Sequence, residues 1–299
     1  MRRTIVDHVS LLDALVSLFP DSSKTTLRQM LQSARVRVNG EVEKDARRML
    51  EPEDVLDIAQ KETQRALPLG LAILYEDDDV IVVLKSQGLL TVATEREPKR
   101  TAQAFLNDYL KEQGQGRVHV VHRLDRETSG VLVFAKNFPA REALKEQFAE
   151  HSPDRMYVAI VEGTLDPPRG TIRSHLFEKK NLRMVSVDRL DLYPSAKLAV
   201  THYRTIESTP QFSMLEVTLE TGRKNQIRAH LSEAGHPVVG DQFYGATQNP
   251  LDRLGLHAKL LAFTHPKSGK RMSFTAPLPK AFRDLFALPS SLPSSLPSS

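Results

Sequence analysis

Apolar residues recur at helical spacing near the start of the chain. Leu11, Leu12, Leu15, Val16 and Phe19 share one face, and Pro20-Asp21 ends the run. Ser22 or Ser23 can cap a second helix, in which Leu27, Met30, Leu31 and Ala34 form an apolar stripe and Lys24, Arg28 and Arg35 lie off it. Strict alternation follows from Val36 to Val42 around Asn39-Gly40, a pair that tolerates the positive φ angles of a tight hairpin. Val55–Ile58 predicts a closing strand, so residues 1–60 read as a small α/β unit. Residues 61–70 lack periodicity and read as a linker. Beyond them, β-branched runs predict strands at Ile73–Tyr75, Val80–Leu84, Val118–Val121, Val131–Ala135, Tyr157–Val161, Ala199–Ile206 and Phe212–Leu219. Helices are predicted at Ala102–Gln113, capped by Thr101, at Ala140–Glu150 and at Asn225–Ala234. Strands in runs with intermittent helices indicate an α+β domain over 71–288. Residues 289–299 repeat Leu-Pro-Ser-Ser, which buries no core and predicts a disordered tail.

Composition narrows the chemistry. The chain has no cysteine, which excludes disulfides, thiolate metal sites and thiol catalysis, and suits a reducing cytoplasm. Asp7 and Asp13 interrupt any signal-peptide core after Met1-Arg2-Arg3, and no apolar run approaches the ~20 residues of a membrane span. The expectation is a soluble, cytoplasmic monomer. Net charge is +4, but its distribution matters more. Lys24 to Arg48 holds seven Lys/Arg against three Asp/Glu, and Pro167 to Arg204 holds eight against three. Two separated basic segments suit a long polyanion such as RNA.

The segment His122-Arg123-Leu124-Asp125-Arg126-Glu127-Thr128-Ser129-Gly130 joins two β-branched runs. It projects the Asp125 carboxylate from a tight loop braced on both sides, a platform fit to position a reacting group. An aspartate in such a turn also serves simply to bond its own backbone. His119, His122 and Asp125 are spaced by threes, but on a strand that spacing alternates faces and builds no metal site. Glu76-Asp77-Asp78-Asp79 could hold magnesium for a metal-dependent RNA hydrolase, although a hairpin turn explains it more simply.

His122-Arg123-Leu124-Asp125, Thr128-Ser129-Gly130 and the apolar run to Ala135-Lys136-Asn137 resemble the catalytic motif of the RluA family of pseudouridine synthases. Tyr75-Glu76-Asp77 through Val83-Leu84-Lys85 to Gly88-Leu89 resembles the family's first motif. Arg155-Met156-Tyr157-Val158-Ala159 resembles its tyrosine motif. Gly222-Arg223-Lys224-Asn225-Gln226-Ile227-Arg228-Ala229-His230-Leu231, continuing to Gly240-Asp241, resembles its third. Leu256-His257-Ala258 to Ala276-Pro277-Leu278-Pro279 resembles its C-terminal pattern. Residues 1–60 resemble an S4 RNA-binding domain through the helix pair, the basic second helix and the Val-Asn-Gly hairpin. Ser86 and Asn225 depart from the usual proline and histidine.

The resemblance implies a mixed, mainly antiparallel central sheet with flanking helices, and an isomerase that needs no cofactor or metal. It implies Asp125 as the catalytic carboxylate, with Arg228 as its guanidinium partner. Tyr157 and Ile227 would pack on the target base, and Arg123 would fill the space an everted uridine leaves. Lys24, Arg28, Arg35, Arg37, Arg223 and Lys224 would meet phosphates. His122 would be structural. The substrate it favours is 23S ribosomal RNA; transfer RNA stays open, as does an inactive S4-bearing assembly factor.

Overall fold

A computed structural model of the chain describes residues 2–20, 24–32, 35–58, 66–67, 70–95 and 97–287. The proposed Ser22 or Ser23 cap, Ala34, most of the expected linker and the Leu-Pro-Ser-Ser tail lie outside these residues. The chain divides into two compact units, residues 1–63 and 64–299.

The first unit contains β1 (Arg2–Thr4), β2 (Val9–Ser10), α1 (Leu11–Leu18), α2 (Lys24–Gln32), β3 (Val36–Val38), β4 (Glu41–Val42), β5 (Met49–Leu50) and β6 (Val55–Ile58). Ser10 caps α1 by accepting from the Asp13 N–H at 3.2 Å, and the apolar stripes of both helices close over β3 and β6 as one core. Asn39 and Gly40 take φ values of 52° and 88°, the left-handed pair a tight hairpin demands. The Asn39 side chain accepts from the Val55 N–H at 2.8 Å and so ties the turn to β6.

The second unit runs β7 (Ala66–Leu67), β8 (Leu71–Glu76), β9 (Val80–Lys85), α3 (Ala102–Glu112), β10 (His119–Val120), β11 (Ser129–Ala135), α4 (Phe138–Ala149) and β12 (Asp154–Glu162). It continues with β13 (Arg169–Glu178), β14 (Met184–Val187), β15 (Lys197–Ser208), β16 (Phe212–Leu219), α5 (Gln226–Glu233), β17 (Leu256–Thr264), β18 (Arg271–Thr275) and α6 (Lys280–Ala287). Ala66–Leu67, inside the expected linker, pair with Leu71–Ala72 at the sheet edge. Thr101 and Asn137 cap α3 and α4 through the N–H groups of Ala104 and Ala140.

One 12-stranded, mainly antiparallel sheet organises this α+β unit in the order β14-β13-β15-β16-β12-β17-β11-β9-β8-β7, with β10 added on β11 and β18 on β17. Its parallel pairing, β11 with β17, occurs at Ser129↔His257 and Gly130↔Ala258. β17 therefore lies between β11, which carries the Asp125 loop, and β12, which carries Tyr157. The backbones meet so closely there that a Cβ on Gly130, at φ 128°, would sit 2.1 Å from the Ala258 carbonyl oxygen.

Candidate active site

Asp125 lies in the irregular loop between β10 and β11, and neighbouring residues fix the backbone on both sides of it. The buried Thr91 hydroxyl donates to the Leu124 carbonyl at 2.8 Å and accepts from the Leu124 N–H at 3.2 Å. The Arg126 carbonyl accepts from the Gly88 N–H at 2.9 Å and from Lys85 Nζ at 3.1 Å. Lys85 is fully buried and also donates to the carbonyls of Ser86 at 3.0 Å and Leu89 at 2.7 Å, so one ammonium clamps three backbone segments. Burial draws its pKa down to about 7, against the pull of Glu127 and Asp125.

Behind the loop, Arg253 Nη2 donates to Ser129 Oγ at 2.7 Å. Ser129 Oγ in turn hydrogen-bonds His257 Nδ1, also at 2.7 Å. Burial, reinforced by Arg253 and Lys259, pushes the His257 pKa down to about 4. His122 is structural in geometry as well. Its Nε2 accepts the Val133 N–H at 3.1 Å, and its ring stacks on Phe148 with centroids 4.4 Å apart. Burial and then the Arg155 charge push its pKa down to about 3.

The Asp125 carboxylate is 23% exposed and faces Arg228, whose Nη1 stands 3.6 Å from Oδ2. The two parallel bonds that a guanidinium can offer a carboxylate go elsewhere. Arg228 Nε and Nη2 donate to the buried Asp241 carboxylate at 2.6 and 2.8 Å, and only Nη1 is turned to Asp125. Nη1 also donates to Asn225 Oδ1 at 3.1 Å, and the guanidinium lies 4.8 Å over the Tyr244 ring. Burial would weaken the guanidinium's hold on its proton, but the Asp241 carboxylate, aided by Asp125, outweighs it and raises the pKa. Asp241, Tyr244, Asn225, Thr91 and Lys85 carry this geometry without having been assigned site roles from sequence. Lys85, Asn225 and Asp241 fall within the motif runs quoted from the sequence, where none was given a role of its own.

An open cleft enclosing about 390 Å³ of atom-free space, solvent included, gathers Arg123, Asp125, Tyr157, Arg223, Ile227 and Arg228. Arg123 is exposed at this cleft, and Ile227 is at once core and cleft wall. Burial raises the Tyr157 pKa, and the nearby Asp125 charge adds to this although Arg155 opposes it, so the phenol keeps its proton as a donor. Buried Gln226 shapes the turn before α5, its Oε1 accepting from Thr221 Oγ1 at 2.7 Å and the Arg223 N–H at 3.0 Å. Exposed Lys224 pairs with Glu178. In the first unit, Lys24, Arg28 and Arg37 are exposed and Arg35 is half-buried; Arg37 Nη1 donates to the Gly40 carbonyl at 2.9 Å.

The acidic turn Glu76–Asp79 lies at the other end of β9 and β11, since Val80 pairs with Ala135 and Lys85 with Gly130. Five residues of strand separate the two ends by about 17 Å. Asp77, Asp79 and His265 bring ligand-type atoms within 4.8 Å of one another, but those atoms are engaged. Asp77 Oδ2 accepts from Tyr75 at 2.7 Å and His265 Nε2 at 2.8 Å, and Asp79 Oδ1 accepts from Asn137 at 2.8 Å. Glu76 likewise takes Lys136 at 2.7 Å and Tyr109 at 2.8 Å. The turn is a hydrogen-bonded knot.

Comparison with known proteins agrees with this arrangement. Residues 79–233 match the RNA pseudouridylate synthase family and residues 11–56 match the S4 domain. The chain is 34% identical over 291 residues to the ribosomal large subunit pseudouridine synthase D of Salmonella typhimurium, covering 91% of this chain and 88% of that protein. It is 34% identical over 281 residues to the uncharacterized RNA pseudouridine synthase YlyB of Bacillus subtilis, covering 91% of each. Among solved structures, human RNA pseudouridylate synthase domain containing 4 superposes with a TM-score of 0.60 at 26% identity, covering 74% of this chain and 92% of that one.

Proposed function

Because this chain belongs to the RluA family of RNA pseudouridine synthases, with an N-terminal S4 domain, we propose that Asp125 isomerises uridine in large-subunit ribosomal RNA. The observation that carries the site assignment is an accessible carboxylate, faced by an anchored guanidinium at 3.6 Å, in one cleft with Tyr157. The reaction breaks the N1–C1′ bond, turns the uracil, forms a C5–C1′ bond and removes the proton from C5. Asp125 serves either by adding to C1′ or by taking the C2′ proton to give a glycal; both routes use the same ionised oxygen.

Arg228 steadies that negative charge without consuming it, because its other edge is occupied by Asp241. The target nucleotide must leave its stack to enter the cleft. Arg123, exposed at the cleft, then fills the vacated space. Tyr157 stacks on the freed uracil with its hydroxyl protonated, Ile227 closes the apolar wall, and Arg223 and Lys224 meet neighbouring phosphates. In the S4 unit, Lys24, Arg28, Arg35 and Arg37 supply further phosphate contacts.

The ribosomal substrate is supported by the names of the relatives; mapping pseudouridines in total RNA with and without the gene tests it against transfer RNA. Asp125→Asn is expected to bind RNA almost as tightly as the parent and to make no product. Pseudouridine forming at the normal rate in that variant overturns the assignment.

A further inference from the structure

Arg155 stands on β12 two residues before Tyr157, on the same face of the strand. Its guanidinium lies 5.8 Å over the Phe148 ring, and Nη2 donates to the Glu220 carbonyl at 3.3 Å. Nε is buried with no hydrogen-bond partner. Nη1 rests against the backbone of Gly222, where a Cβ would lie 2.4 Å away, so only glycine admits this approach. The next residue, Arg223, lines the Asp125 cleft and holds its own Nε on the Leu198 carbonyl at 2.9 Å.

Arg155 thus packs against the residue that precedes Arg223, and among the described residues no carboxylate pairs with either guanidinium. The Arg155 pKa is lowered by burial and then by the Arg223 charge, with Tyr157 opposing. Holding like charges together in a partly dry setting is unfavourable until an anion joins them. Guanidinium edges match phosphate oxygens in geometry, which a lysine cannot reproduce.

We propose that Arg155 and Arg223 form a joint seat for one phosphodiester of the substrate RNA, the linkage beside the uridine that enters the Asp125 cleft. This rests on the synthase reading and deepens it. Arg223 belongs to both the seat and the cleft wall, and Arg155 is two residues from the tyrosine beneath the base. Gripping the phosphate there sets how far the everted nucleoside reaches toward Asp125.

The test measures binding of an in vitro transcript of large-subunit ribosomal RNA at a series of salt concentrations, in the Asp125→Asn background so that turnover plays no part. Adding Arg155→Gln should lower the slope of log affinity against log salt by about 0.7–0.9, the signature of one lost phosphate contact. Adding Arg155→Gln and Arg223→Gln together should remove that same single contact rather than two. An unchanged slope, or losses that sum to two contacts, overturns the proposal. Arg155→Lys keeps the charge and loses the fork; it should retain the slope while affinity falls about threefold to tenfold. Equal affinity in that variant would reduce Arg155 to packing, and it decides the matter should Arg155→Gln fail to fold. Failure of the parent enzyme to make pseudouridine would instead refute the synthase reading and leave this binding result standing.

Discussion

Arg228 shows how a single side chain is divided between holding and acting. Its Nε and Nη2 are committed to Asp241, which leaves Nη1 as the atom presented to Asp125. Asp241→Asn should therefore lower kcat with little change in RNA affinity. A 1 Å misplacement of a positioned group costs on the order of a hundredfold, and a loss of tenfold to a hundredfold in single-turnover rate is expected. An unaltered rate would show that Arg228 needs no such anchor. Asp125, Tyr157 and Arg228 could be found in the sequence because each sits inside a recognisable run. Asp241 closes one of those runs and Thr91 lies in none, but the importance of both comes from what they touch: Arg228, 13 positions from Asp241, and Leu124, 33 positions from Thr91. The resemblance implied Arg228 as the guanidinium partner of Asp125; its pair of parallel bonds goes to Asp241, and Nη1 alone faces Asp125.

Among the elements, the antiparallel strands rich in β-branched residues could be read in place. β16 runs from Phe212 to Leu219 as predicted, and β9 extends its expected span by one residue to Lys85. β13 escaped because Arg169–Glu178 is largely polar and half-exposed, giving no apolar alternation to detect. β17 escaped for another reason: His257 and Lys259 break up the start of Leu256–Thr264, and the run Leu260–Phe263 that follows does not alternate. At its contact with β11 the two backbones approach closely. Gly130→Ala would drive a methyl into the Ala258 carbonyl and also strain a positive φ. A loss of several kcal/mol or outright failure to fold is expected, seen as a lowered urea midpoint. A midpoint equal to the parent's would mean the two strands can separate without harm.

For the whole molecule, the chain divides into residues 1–63 and 64–299, and the first closes its own small core. Deleting residues 1–60 should leave the remainder folded while weakening RNA binding and flattening its salt dependence. Unchanged affinity would assign the first unit another task. Acid should destabilise the protein as a whole. His257 and His122 have folded pKa values pushed down to about 4 and about 3, whereas an unfolded imidazole titrates near 6.5. Between those limits the unfolded chain binds more protons, so stability present above pH ~6.5 is lost as pH falls. Each group contributes a slope of up to about 1.4 kcal/mol per pH unit across that window. Urea midpoints at pH 7.5 and 5.0 that coincide would contradict this.

The insertion of β17 between β11 and β12 has a consequence for synthesis on the ribosome. A nascent chain that has already exposed the acid and the tyrosine still lacks the strand that spaces them, because that strand begins only at Leu256. The machinery stays unassembled until most of the polypeptide has emerged, and pairings this distant along the chain form slowly.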